Sequence, residues 1–169
     1  PSRRSATRPA LNKRAVERAV LQLYGPGGSG QVTSGGLQSF TFDELVNYLN
    51  GASPLAAGEG TPTPAPPPIV EALAQADWIV FNMLDVTAEA PSSKVVSQFL
   101  TQRPDLLRGR HVVVFAFGAP YYLDTTDLSK VTAFYALYGR ASAFVDVAAR
   151  LLFQGFTPRG ASPVPVPGI

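Results

Sequence analysis

His111-Val112-Val113-Val114-Phe115-Ala116-Phe117 decides the fold, because five of these seven residues are Val or Phe and the run is apolar on both alternating faces. Such a segment suits a strand inside a parallel sheet, where helices cover both sides. Working upstream, Trp78 to Leu84 reads as a second buried strand. The 26 residues between the two runs hold one helix. Ser92 is expected to cap it, Val95, Val96, Phe99 and Leu100 to line one face, and Arg103-Pro104 to break it. A right-handed βαβ crossover is the expected connection. Downstream, Val131 to Tyr138 is a third strand candidate, although its length and Ala content leave a helix open. Ser142 is expected to cap a helix whose Phe144, Val147, Ala148, Leu151 and Leu152 form a stripe, with Gly155 closing it. Residues 156 to 169 are Pro-rich, with Val164 and Val166 placed to add an edge strand. Alternation of helices with apolar runs makes the fold class α/β.

Toward the amino end the pattern weakens. Residues 1 to 18 read as a solvated lead-in with a helical tendency from Asn12, and Ala19 to Tyr24 either closes that helix or forms a strand. Gly25-Pro26-Gly27-Gly28-Ser29-Gly30 is a loop by composition. Thr41 and Glu44 have capping-box spacing, with Phe40 and Leu45 as a hydrophobic staple, and Gly51 stops the helix they open. Ser53 to Pro68 turns to Pro, Gly, Ala and Thr, which excludes a helix interior or a central strand. A short helix over Ile69 to Ala76 follows. The expected division is a lead-in with a Gly-rich loop over 1–40 and one α/β domain over 41–169, interrupted by a Pro-rich insertion at 53–68.

The chain has 169 residues, 46% of them apolar and 15% charged, with no Cys. Its size is that of one domain and its core needs no disulfide. The longest uncharged run, Ala19 to Phe42, contains Pro26 and six Gly, so it does not offer the ~20 consecutive apolar residues of a membrane span. Residues 1 to 24 carry six basic groups against one acidic, and the remainder eight basic against eleven acidic, giving +5 and −3. A basic tail on an acidic body is not the folded basic face with interleaved aromatics that nucleic acid requires, so no nucleic-acid partner is expected. The first residue is Pro rather than Met, so the ends need not be natural ones, and nothing fixes the compartment.

Few residues carry chemistry. Gly25, Gly27 and Gly30 spell GxGxxG, with Asp43 and Glu44 near the distance of a ribose-binding acid, but the next residues are polar and the helix starts only after Thr41. The single His, His111, lies at the entrance of its strand, opposite the carboxyl end where α/β sheets bind ligands. One His, no Cys and no acidic cluster leave no metal site. The carboxyl-end positions carry the candidates: Asp85 after the first strand, Tyr121 and Tyr122 in the loop after the second, and Arg140 after the third. Converging there, they suit a sugar or a partner surface, whereas separately Asp85 caps a turn and the tyrosines half-bury. Asp124 and Asp127 around Thr125 and Thr126 read as a helix start.

Ala76-Asp77-Trp78-Ile79-Val80, His111 through Leu123, Phe134-Tyr135-Ala136-Leu137-Tyr138 and Gly160-Ala161-Ser162-Pro163-Val164-Pro165-Val166-Pro167-Gly168, in that order, resemble the C-terminal α/β domain of glycoside hydrolase family three. The likeness is to its β-N-acetylhexosaminidase branch and covers roughly residues 67 to 169. It implies a flavodoxin-like, three-layer α/β/α sandwich with a mainly parallel sheet, packed beside a catalytic TIM barrel. A barrel takes ~250 residues, so this chain does not contain one. The family's nucleophile, and in this branch the acid/base, would lie on that barrel, leaving no catalytic residue here and no cofactor. In the β-glucosidase branch the acid/base is a Glu of this domain; the Glu after the linker are Glu71, in a helix, and Glu89, before Pro91. The resemblance therefore implies an accessory domain, inactive alone, with Asp85, Tyr121, Tyr122 and Arg140 as substrate-rim candidates. The competing classes are a free-standing flavodoxin-like module for a nucleotide or other ligand, in which Gly25 to Gly30 cradle phosphate, and an interaction domain using the Pro-rich segments.

Overall fold

The computed structural model describes residues 14–33, 35–51, 68–84, 94–118 and 123–160. The Pro-rich insertion up to Pro67, the Ser92 cap, Glu89, and Val164 and Val166 lie outside them. The described chain is α/β: three strands form one all-parallel sheet and six α-helices accompany it. Two compact units divide it, residues 38–138 and residues up to 37 together with 139–159.

In the first unit, α2 (Phe42–Leu49) begins as its sequence dictates. Thr41 Oγ1 accepts the Glu44 N–H at 3.2 Å and Glu44 Oε2 accepts the Thr41 N–H at 2.6 Å, a complete capping box. The helix ends at Gly51, whose φ of +63° suits a residue without Cβ. Helix α3 (Pro68–Gln75) leads to β1 (Trp78–Met83), and α4 (Val95–Gln102) leads through a 3₁₀ turn at Pro104–Leu106 to β2 (His111–Ala116). Helix α4 is capped by Lys94 without a side-chain bond. It stops where Pro104 forbids continuation, and Arg103 fixes the exit by donating from Nε and Nη2 to the Asp105 carboxylate while lying 4.9 Å from the Tyr48 ring centre. The guanidinium holds the Asp105 carboxyl below its ordinary range.

Strand order is β1-β2-β3, with Trp78 beside His111 through Met83 beside Ala116, and Val113 beside Ala133 through Ala136. Region 131–138, open between helix and strand, contains strand β3 (Ala133–Ala136). Its entry is fixed by Thr132, whose N–H donates to Val112 O and whose hydroxyl accepts the Val112 N–H. The central strand is buried at five of six positions, as a continuous apolar run requires. Strand β1 instead alternates, and Trp78, expected to be buried, is 51% exposed. One sheet face meets α2, α3 and α4: Ile79, Phe81, Val112 and Val114 pack with Ile69, Val96, Phe99 and Leu100. Phe81 and Phe99 make an edge-to-face pair at 5.4 Å.

In the other unit, α1 (Ala15–Tyr24) packs on α6 (Ser142–Leu152). Val16, Ala19 and Val20 are buried, so this part of the expected lead-in is a packed helix. In α6 the N-cap is Ala141, with Ser142 already helical and no side-chain cap bond. Its buried residues are Val145, Ala148, Ala149 and Leu151, which rotates the stripe by one position from Phe144 and Val147. The helix ends in a Schellman motif, with Gln154 N–H on Leu151 O at 3.1 Å and Gly155 N–H on Arg150 O at 2.8 Å. Gln154, not the expected Gly155, takes the left-handed conformation, at φ +54°.

Two stability measurements follow from this packing. Phe99→Ala, by leaving a cavity under β1, is expected to cost about 3–5 kcal/mol in denaturant unfolding. Gln154→Gly, by removing a Cβ from a left-handed residue, is expected to stabilise by about 0.5–1 kcal/mol.

Candidate functional site

The expected site lies at the carboxyl ends of the strands. Asp85, Tyr121 and Tyr122 fall outside the described residues. Arg140 is described: it is exposed, two residues before α6, in the unit of residues 139–159. Gly139 before it is required by packing, since a Cβ there would lie 2.2 Å from the Phe144 ring. The described residues therefore do not assemble the four candidates into one site.

What they place at that end was not among the sequence candidates. Asn82 occupies the penultimate position of β1, in register with Phe115 and, across it, Tyr135. Phe115 is fully buried and stacks on Tyr135 with ring centres 5.4 Å apart. The Asn82 Oδ1 is buried and accepts no hydrogen bond. An orphaned buried acceptor costs about 1–3 kcal/mol. The sequence signal was an amide inside the apolar run Ile79 to Leu84. Beyond β3, Tyr138 is 45% exposed at φ +54°, a conformation that an aromatic side chain disfavours by about 1–2 kcal/mol. Neutral polar and aromatic groups of this kind suit hydrogen bonding and ring stacking rather than proton transfer.

Asp124 caps α5 (Thr125–Leu128), its Oδ1 accepting the Asp127 N–H at 2.8 Å, as its sequence suggests. Asp127 is 3% exposed, and its Oδ1 lies 3.8 Å from Lys130 Nζ. These carboxylates thus serve a helix start and an internal ion pair. Among the described residues no group of three or more His, Asp or Glu is placed to hold a metal ion.

The glycine-rich loop has a different job from cradling phosphate. It follows the C-terminus of α1, the negative end of the helix dipole, whereas a phosphate needs free amides at a helix N-terminus. Gly25 N–H donates to Leu21 O, Ser29 N–H to Leu23 O, Val32 N–H to Tyr24 O, and both Gly28 and Gly30 N–H to Gly25 O, all at 2.8–3.0 Å. A Cβ on Gly25 or Gly28 would come within 2.2 or 2.3 Å of a helix carbonyl oxygen. The glycines let the loop fold over the end of the helix, and Glu44 is the capping-box acid rather than a ribose ligand.

At the opposite edge of the sheet, Arg110 donates its Nη1 to Leu73 O and its Nη2 to Ala74 O at 2.9 Å, closing the C-terminus of α3. His111 stacks on Trp78 at 4.4 Å between ring centres. No family model, curated protein or solved structure matches the chain.

Asn82→Leu separates a structural from a binding role for the amide. With the orphaned acceptor removed, the variant is expected to gain about 1 kcal/mol, a rise of about 2–4 °C in Tm by calorimetry. A loss of stability would show that the oxygen has a partner in solution.

Proposed function

We propose that this chain is the accessory C-terminal domain of a family-three-like glycoside hydrolase, packing on a catalytic TIM barrel that it does not contain. One observation carries the reading. The segments of the resemblance fall on elements in the order the family implies: His111–Phe117 on and just past the central strand β2, Gly118 opening the loop at its carboxyl end, Phe134 to Tyr138 on and just past β3, and α6 after them. Several carboxylates of the described residues have structural roles. Retaining hydrolysis needs an acid/base and a nucleophile about 5 Å apart with the sugar between them. Here Glu44 and Asp124 hold helix starts, Asp105 is paired with Arg103, and Asp127 is buried beside Lys130.

In this reading the domain's contribution is at the rim of the barrel's site. In the sequence Asp85 follows β1, Tyr121 and Tyr122 follow β2, and Arg140 follows β3. An aromatic face and charged hydrogen-bonding groups are what a polyhydroxylated ring requires for orientation. The substrate is a β-N-acetylhexosaminide or β-glucoside.

The test is hydrolysis of chromogenic N-acetylglucosaminide and chromogenic glucoside by the chain alone and by the longer protein that carries it with its barrel. Turnover is expected only from the longer protein. Turnover by the chain alone would overturn the accessory role, and a longer protein without a barrel would overturn the family reading.

A further inference from the structure

Among the described strands β3 is an edge, because the order β1-β2-β3 pairs only one of its sides. Leu137 N–H donates to Ala116 O, and Ala116 is the register partner of Ala136. In a parallel ladder the N–H and C=O of one residue point to the same side, and the side alternates along the strand. Tyr135 and Leu137 therefore serve β2, whereas Phe134 and Ala136 turn their main-chain groups to the open side. Both residues are half-buried, and Phe134 packs against the core cluster. Main-chain groups in such a position require a partner, and a row of them is a template for a further strand.

The chain carries a segment suited to this edge. After α6 comes Ser162-Pro163-Val164-Pro165-Val166-Pro167, outside the described residues. Proline at every second position has one consequence in an extended strand. Pro163, Pro165 and Pro167, which have no N–H, fall on one side, while Ser162, Val164 and Val166, each with a donor and an acceptor, fall on the other. Such a segment can form a ladder along one side only, and proline in sheets is confined to edges, with its nitrogen turned away from the ladder. A slip of one residue would offer β3 no N–H at all, so the parity of the pairing is fixed as well. The connection selects β3 over the open side of β1. From Leu137 to Ala161 the chain holds one helix, α6, which is the content of a crossover between parallel neighbours.

We propose that the free side of β3 is a strand-docking edge whose occupant is the chain's own segment 162–166, laid parallel to β3. Ser162, Val164 and Val166 exchange hydrogen bonds with the main chain of Phe134 and Ala136, and the prolines form the outer border. The docked segment finishes the sheet, since its outer side presents no N–H at the proline positions to a second copy of the chain. This inference rests on the ladder and the proline spacing and is independent of the glycosidase reading.

Amide hydrogen exchange by NMR on the full chain tests it. Phe134 and Ala136 report the open side of β3. Val80 and Asn82 report that of β1, because Asp77 O and Met83 O accept from His111 and Phe117 and so turn the odd residues of β1 toward β2. In a variant carrying both Val164→Pro and Val166→Pro, which removes the N–H groups from the pairing side, Phe134 and Ala136 are expected to exchange about tenfold faster or more. Val114 and Phe115 in the central ladder should keep their protection and show that the sheet is folded. Pro165→Ala, on the outer side, is expected to leave Phe134 and Ala136 unchanged. Equal exchange at these two amides with and without the valines overturns the proposal, as does acceleration at Val80 and Asn82 in their place. Acceleration in Pro165→Ala also overturns it, by showing a polyproline segment held through its rings rather than a strand. Protection that fades on dilution does the same, by showing a second copy on the edge. Should the double variant not fold, the unaltered chain decides: slow exchange at Phe134 and Ala136 that persists on dilution supports the docked strand, and exchange at the rate of exposed amides overturns it.

Discussion

The hydrogen-bond ladder on both edges of β2 is the constraint on which the larger unit depends. The strand pairs with β1 from His111 to Ala116 and with β3 from Val113 to Ala116, and both ladders continue past the strand ends through Phe117 N–H on Met83 O and Leu137 N–H on Ala116 O. A central strand has no free backbone groups to offer water, so its side chains can be apolar on both faces at no cost in solvation. Val112 and Val114 then meet the helix layer, while Phe115 stacks on Tyr135. Shifting the pairing by one residue would exchange these two sets, and the Val and Phe content on both faces makes Thr132 important as a register pin. Its main chain and hydroxyl together engage both polar groups of Val112.

Much of this architecture was legible because its causes are local. The capping box at Thr41 and Glu44, the stop at Gly51, the break at Pro104 and the cap at Asp124 each involve residues three or four apart, and each forms as written. Reading failed where the cause is distant. Arg110 closes α3 from 36 residues away, and no spacing rule announces it. Trp78 looks like the first residue of a buried strand, yet its exposure depends on which side chains reach the sheet's amino edge. In α6 the pattern was sound and the phase was not: Ala141 rather than Ser142 caps the helix, and the buried stripe moves with it.

The candidate site was chosen by position rather than by composition. A parallel sheet directs attention to the carboxyl ends of its strands, and Asp85, Tyr121, Tyr122 and Arg140 were chosen on that rule. Strand order runs β1-β2-β3 without reversal, so the described strands present no switch-point crevice of the kind that receives a nucleotide. Asn82 and Tyr138 escaped notice for opposite reasons. The amide was visible in an apolar run and passed over, whereas nothing distinguishes Tyr138 from Gly139 as the residue that takes the left-handed conformation. The glycine fingerprint is a motif without context, as the polar residues after it already indicated. Its spacing matches, but it sits after a helix rather than before one.

The pairing of α1 with α6 sets a schedule for the ribosome. Helix α1 ends at Tyr24 and α6 begins at Ser142, so at 5–20 residues per second about 6–24 s separate the synthesis of the two surfaces. The βαβ segment between them can complete its own ladder during that interval. The glycine loop can also close over α1 at once, because its partners are neighbours in the chain. Val16, Ala19 and Val20, however, wait uncovered until α6 emerges. During translation α1 is made before the βαβ segment and buried after it, and its apolar stripe is where a chaperone would find this nascent chain.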